Sequence, residues 1–145
     1  MSVEKNKEIS LRFMKEVWQN KNFEVVDELM SPDTINHNLP PNMPQGIEST
    51  KQYIGMFTSA FPNTEMTYDD VICESDRVVI RWSASGKHEG ELMGIPASGK
   101  QVKLTGIVIN KIQDGKIVEV WGEFDQLAMM QQIGAIPVPG TEAYH

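Results

Sequence analysis

In WGEFDQLAMMQQIG, residues 121–134, the carboxylate of Asp125 stands where a strand-like run gives way to a helix-like one. A carboxylate at such a junction has two uses. Buried, it rises above its reference pKa of about 3.9 and becomes an effective general base near neutral pH. Left at the surface, it accepts hydrogen bonds from the free amides that open the helix, because Asp is among the preferred N-cap residues. Leu127, Met130 and the closing Gly134 favour the cap, and spacing alone leaves both uses open. Two imidazoles are candidates to work beside it. His88 ends RVVIRWSASGKH with the parity of Val78, Ile80, Trp82 and Ala84, so it faces a core or pocket unless a bulge at Gly86 shifts the count. Periodicity does not separate packing from catalysis there. His37, in SPDTINHNLPPN, sits in a short strand or turn leading into a Pro-rich loop, where a solvated side chain is the plain expectation. His145, at the end of a polar tail, is set aside. Two histidines and a carboxylate could also form a facial metal triad, but no HxxxH or HxD spacing preorganises one, so no metal is expected.

The elements that must position these residues follow from the hydrophobic period. Ile9, Phe13 and Val17, with Met14 and Trp18 beside them, make one apolar stripe along KEISLRFMKEVWQN, which predicts a first helix. Asn22 is placed to cap a short second helix whose stripe is Val25, Val26, Leu29 and Met30, ending before Pro32. From Gly46, Ile54, Phe57 and Phe61 recur at helical spacing until Pro62 removes a donor and ends a third helix. After Pro62 the period drops to two and β-branched and aromatic residues concentrate. MTYDDVIC and RVVIRWSASGKH read as one hairpin, and VKLTGIVINKI and KIVEVWGEF as another, closed by Gln113, Asp114 and Gly115. Helices first and antiparallel strands afterwards predict an α+β domain with helices on one face of a curved sheet that encloses a pocket. On the last strand Val118, Val120 and Phe124 share one face. Ile117, Glu119, Trp121, Glu123 and Asp125 share the other, so Asp125 reaches a cavity only if both faces are buried. The loop GELMGIPASGK is either a long hairpin connection or a flap whose Leu92, Met93 and Ile95 close the pocket mouth.

Composition bounds the partners. A chain of 145 residues, 40% hydrophobic and 23% charged, is expected to form one soluble domain with its own core. Thirteen Lys and Arg against 20 Asp and Glu give a net charge of −7 with no basic cluster, which argues against nucleic acid. The single Cys73 has no partner for a disulfide, no apolar run suits a membrane span, and the N-terminus has no apolar leader region. A cytoplasmic location is the expectation.

The His-Gly-Glu, Gly-Ile-Pro and Gly pattern from His88 to Gly99 and the Trp, Asp, Gln-Gln-Ile-Gly pattern from Trp121 to Gly134, together with INHN, resemble the SnoaL-like polyketide cyclases, or ester cyclases, of the nuclear-transport-factor-two-like superfamily. The resemblance runs from about Lys5 to Pro137. It implies a cone-shaped half-barrel, a bent, mainly antiparallel sheet wrapped around three N-terminal helices, and a homodimer or higher homo-oligomer joined through the outer sheet face. It implies that Asp125 is the base of an intramolecular aldol ring closure. His37 and His88 would line the same cavity, with Trp82, Trp121, Phe57 and Met93 as substrate contacts. No cofactor is implied, because the substrate's own carbonyl takes the electrons. The ligand would be a small hydrophobic carbonyl compound. The rival reading is a non-catalytic domain that binds a hydrophobic ligand or a partner protein, and a hydrolase, dehydratase or isomerase would use the same groups. Glu123, two residues from Asp125, departs from the simple picture by adding a second carboxylate.

Overall fold

The computed structural model describes residues 2–137, so His145 lies outside the described residues. Helix α1 (Val3–Phe13) is capped by Ser2, whose hydroxyl accepts the Lys5 amide at 3.1 Å. It buries Ile9 and Phe13, then continues as a π-helical segment, Met14–Gln19. The wider winding, marked by the Asn20 amide on the Lys15 carbonyl at 3.0 Å, brings both Met14 and Val17 into the interior. Sequence period alone placed Met14 and Trp18 beside the stripe rather than on it.

Helix α2 is Glu24–Leu29, and the chain turns from it directly into strand β1, Met30–Asn36. Asn22 does not cap α2 through its side chain; its backbone carbonyl accepts from Val25 instead. Met30, expected at the end of the helix, is the first residue of the strand. Pro32 is tolerated there because β1 is an edge strand with one unpaired side. Helix α3 spans Ile47–Ala60 and ends before Pro62. Strands β2 (Glu65–Glu74), β3 (Arg77–Lys87), β4 (Gln101–Gln113) and β5 (Lys116–Phe124) follow, and helix α4, Gln126–Gln132, comes after them.

The sheet order is β1-β5-β4-β3-β2, with β1 parallel to β5 and every other pair antiparallel. The architecture is α+β, four helices on an open mixed sheet: the three N-terminal helices and the short helix after Asp125 are those the sequence predicts, and the parallel pairing of β1 with β5 joins the predicted hairpins. Inner-face residues Val78 and Ile80 of β3, Val108 and Ile112 of β4, and Ile117 and Val120 of β5 pack against Phe13, Val17, Val26 and Ile54. Ile117 and Val120 have opposite parity yet both are buried. A register shift where Ile112 pairs with Ile117 and Lys111 with Glu119 leaves Val118 as the extra residue, so the strand changes face. A second apolar cluster, Phe57, Phe61, Leu92, Val102, Met129 and Ile133, fastens α4 and the β3–β4 loop to the end of α3. Among the described residues no helix is long and apolar enough to cross a membrane.

Candidate active site

Between α1, α3 and the inner sheet face lies a cavity of about 350 Å³, inside the usual range for small-molecule sites. Its walls are mostly apolar: Phe13, Met14, Ile54, Phe57, Leu104 and Val108 all contribute. Trp82 lies across the β4 backbone at Gly106, where a Cβ would stand 2.3 Å from the indole Cζ2. Glycine at 106 is what lets the indole lie flat on the sheet. Phe57 makes edge-to-face contacts with Tyr53 at 5.2 Å and Phe124 at 5.7 Å, so α3 and the end of β5 share one aromatic wall. Trp82 and Phe57 are therefore cavity residues.

The polar groups in the lining are neutral for the most part. Asn36 of β1 donates to Thr50 Oγ1 at 3.2 Å and accepts the Asn38 amide at 2.9 Å, which ties β1 to α3 and spends both edges of its side chain. Thr58 and Thr64 are spent on the backbone carbonyls of Gly55 and Phe61. Tyr53 and Trp82 make no hydrogen bond to another described residue. Burial pushes the Tyr53 phenol above its ordinary range, so it remains a donor at neutral pH. Among the described lining residues there is no Lys or Arg, and the ionisable ones are Glu123, His37 and Tyr53. An uncharged ligand suits such a lining, because a buried anion would have no cation to meet.

The structure does not bring Asp125, His37 and His88 together in this chamber. Asp125 is exposed and caps α4, its carboxylate accepting the Ala128 amide at 3.0 Å; its neighbours Phe124 and Gln126 line the cavity while it does not. The acidic residue among the described lining residues is Glu123, itself exposed. His88 is fully buried, but behind Phe61, whose ring centroid is 5.4 Å from its own, rather than in the cavity wall. Its Nδ1 accepts the Ser98 amide at 3.1 Å and lies 2.9 Å from Ser98 Oγ. The neutral ring therefore carries its proton on Nε2, which has no partner. His37 borders the cavity, yet its ring is stacked on Trp121 at 5.2 Å with Nε2 at 2.6 Å from Glu119. Trp121 itself is not a lining residue. The register shift in β5 puts it on the outer face, where the Arg77 guanidinium sits 5.2 Å over its ring. Met93 is at the tip of the β3–β4 loop, 47% exposed and outside the cavity. Leu92, expected near the surface, is buried and pairs with Ile95. Sequence reasoning passed over Tyr53, Asn36 and Asn110. Asn110 did leave a signal, as a polar residue on the otherwise apolar inner row Val102, Leu104, Val108 and Ile112.

The fold recurs in solved structures. The chain superposes on TsrD from Streptomyces laurentii with a TM-score of 0.84 and 28% identity, covering 94% of this chain and 99% of that one. It superposes on a proposed SnoaL-like polyketide cyclase from Jannaschia sp. CCS1 with a TM-score of 0.80 and 30% identity, covering 92% and 94%. For IdmH from Streptomyces antibioticus, a proposed polyketide cyclase, the TM-score is 0.74 at 27% identity, covering 88% and 98%. A search of curated proteins gives no match. The fold is thus the cone-shaped one of SnoaL and nuclear transport factor two, and the sequence profile of the SnoaL-like polyketide cyclases matches residues 8–133. The chain belongs to the SnoaL-like polyketide cyclase family.

Proposed function

We propose that the chain is a cofactor-independent, cyclase-like enzyme that takes a small, uncharged, largely apolar carbonyl compound into this cavity. There it removes a proton from the carbon next to the carbonyl, and the enolate closes a ring by aldol addition. The observation that carries the reading is the cavity itself: apolar walls, no Lys or Arg among the described lining residues, and free neutral donors, on the fold of the cyclase family.

Asp125 is the proposed base. It stands between two lining residues, and the proposal has its carboxylate leave the Ala128 amide and turn to the cavity when substrate binds. Giving up an N-cap bond costs about 1 kcal/mol, a sum that substrate binding can offset. The enolate oxygen needs a donor, and Tyr53 and Trp82 line the cavity with their donors free. His37 stays a candidate proton carrier at the edge. His88, sealed behind Phe61, is assigned to holding the loop rather than to touching substrate. We further propose that two copies associate through the outer sheet face.

One observation favours a second reading, a binding module without chemistry: in this structure Asp125 is spent as a cap. A neutral probe separates the two. 2-Tetralone in D2O carries exchangeable protons next to its carbonyl, and mass spectrometry reads their replacement. The wild-type chain should speed that exchange above the buffer rate, and Asp125→Asn, still a good N-cap, should abolish the acceleration while keeping fold and binding. Binding without acceleration by the wild type would establish the module; acceleration retained in Asp125→Asn would remove the base assignment.

A further inference from the structure

Two buried amides line the cavity, and they differ in what they have left to give. Asn36 is used up by Thr50 and Asn38. Asn110, on the inner face of β4 and 3% exposed, donates through Nδ2 to Ser10 Oγ at 3.0 Å, a bond buried between β4 and α1. Ser10 is fully buried, so the plane of the amide is held by a group that does not move with solvent. No described group donates to Asn110 Oδ1. Nor is it among the sealed side-chain atoms without a partner, which among the described residues are Asn6 Oδ1 and His88 Nε2. The Asn110 carbonyl oxygen therefore opens on the cavity, with its lone pairs unused.

Its surroundings decide what can use them. Asn110 lies between Val108 and Ile112 on the inner row, with Val78 and Val120 as its cross-strand partners. Among the described lining residues there is no Lys or Arg. An acceptor in such a place selects a donor on the ligand, and an analogue that lacks the donor leaves the oxygen desolvated and unpaired. A carboxylate or phosphate would meet an oxygen rather than a donor and be repelled.

We propose that Asn110, positioned by Ser10, is a specificity-determining residue that accepts a hydrogen bond from a hydroxyl group at the buried end of an uncharged, apolar ligand. The proposal rests on the cavity being a ligand site, and it narrows the substrate class from carbonyl compounds to hydroxylated ones. Tyr53 and Trp82 donate to a ligand oxygen while Asn110 accepts from a ligand hydroxyl, so the two ends of the molecule are told apart.

Equilibrium dialysis with 2-naphthol and 2-methylnaphthalene tests this, since the two probes match in shape and differ in the donor. The wild-type chain should bind 2-naphthol tighter by on the order of tenfold. Asn110→Leu should erase that ratio while still binding 2-methylnaphthalene. Should Asn110→Leu fail to fold, Ser10→Ala, which unties the amide, should lower the ratio with the fold intact. Equal binding of both probes by the wild type, or a ratio unchanged in the foldable variant, would overturn the role of Asn110 and leave the cavity reading standing. Binding of neither probe by the wild type would overturn the cavity reading, and the inference with it.

Discussion

His88 is a buried polar ring whose value depends on one backbone amide. Its Nδ1 satisfies the Ser98 N–H, its own amide bonds the Lys100 carbonyl, and its carbonyl receives Gly99, so one residue fastens both ends of the β3–β4 loop. Truncation to Ala would leave a void beside Phe61 and orphan the Ser98 amide. We expect a loss of about 2–4 kcal/mol in urea unfolding, with faster amide exchange across residues 89–99 and little change in binding at the cavity. Loss of binding equal to loss of fold would instead place His88 in the site. Tyr68, on the inner face of β2, gives a pH signature at the same scale. Burial pushes its phenol up to about 12, from an ordinary 10.0. Below pH 10 both folded and unfolded chains keep the proton and stability is complete. Between 10 and about 12 only the unfolded chain releases it, so stability falls as pH rises. The urea midpoint should drop over that window, and Tyr68→Phe should flatten the drop.

At the scale of the elements, β4 carries the site because its inner row alternates large residues with one gap. Gly106 is that gap, and the Trp82 indole fills it. Gly106→Ala would set a methyl group at 2.3 Å from the ring, so the indole must swing into the cavity. The expected outcome is a destabilisation of about 1–3 kcal/mol with altered tryptophan emission and weaker ligand binding. Unchanged emission would mean that the indole does not rest there. Period and parity alone located β2 to β5 and the inward row Val78, Ile80, Trp82 and Ala84. On β5 the same rule set Trp121 and Asp125 opposite Val120 and Phe124, as they are; it missed the bulge at Val118, which has no marker among β-branched residues and turns Ile117 inward as well. Strand β1 was legible only as a short strand or turn, since Pro32 interrupts it and its parallel partner lies more than eighty residues away, a pairing that no local pattern encodes. Asp125 read as a cap from spacing and as a base from the resemblance, because both uses favour the same residue at the same junction. Only coordinates show that it holds the Ala128 amide.

At the scale of the whole molecule, the face of the sheet away from the cavity is organised too. The register aligns Ile72, Val79, Ile109 and Trp121 into one row across four strands. Ile72 is 58% exposed, so the row is an apolar stripe open to solvent rather than a second core. Glu74, Arg77, Lys111 and Glu119 form the neighbouring row on one side, and Asp70 and Arg81 lie on the other. A stripe flanked by charges of both signs is suited to a second copy related by a two-fold axis, since each acidic group can meet a basic one of its mate. The chain's net charge of −7 opposes association in general, whereas the charges that flank this stripe balance. Ile109→Lys, at the middle of the stripe on a strand paired on both sides, should therefore convert a sedimenting dimer to a monomer. It should leave cavity binding of 2-naphthol unchanged, because Ile109 and Asn110 point to opposite faces. A wild-type chain that sediments as a monomer at tens of micromolar, or a dimer that survives the lysine, would show that this stripe is not where copies meet.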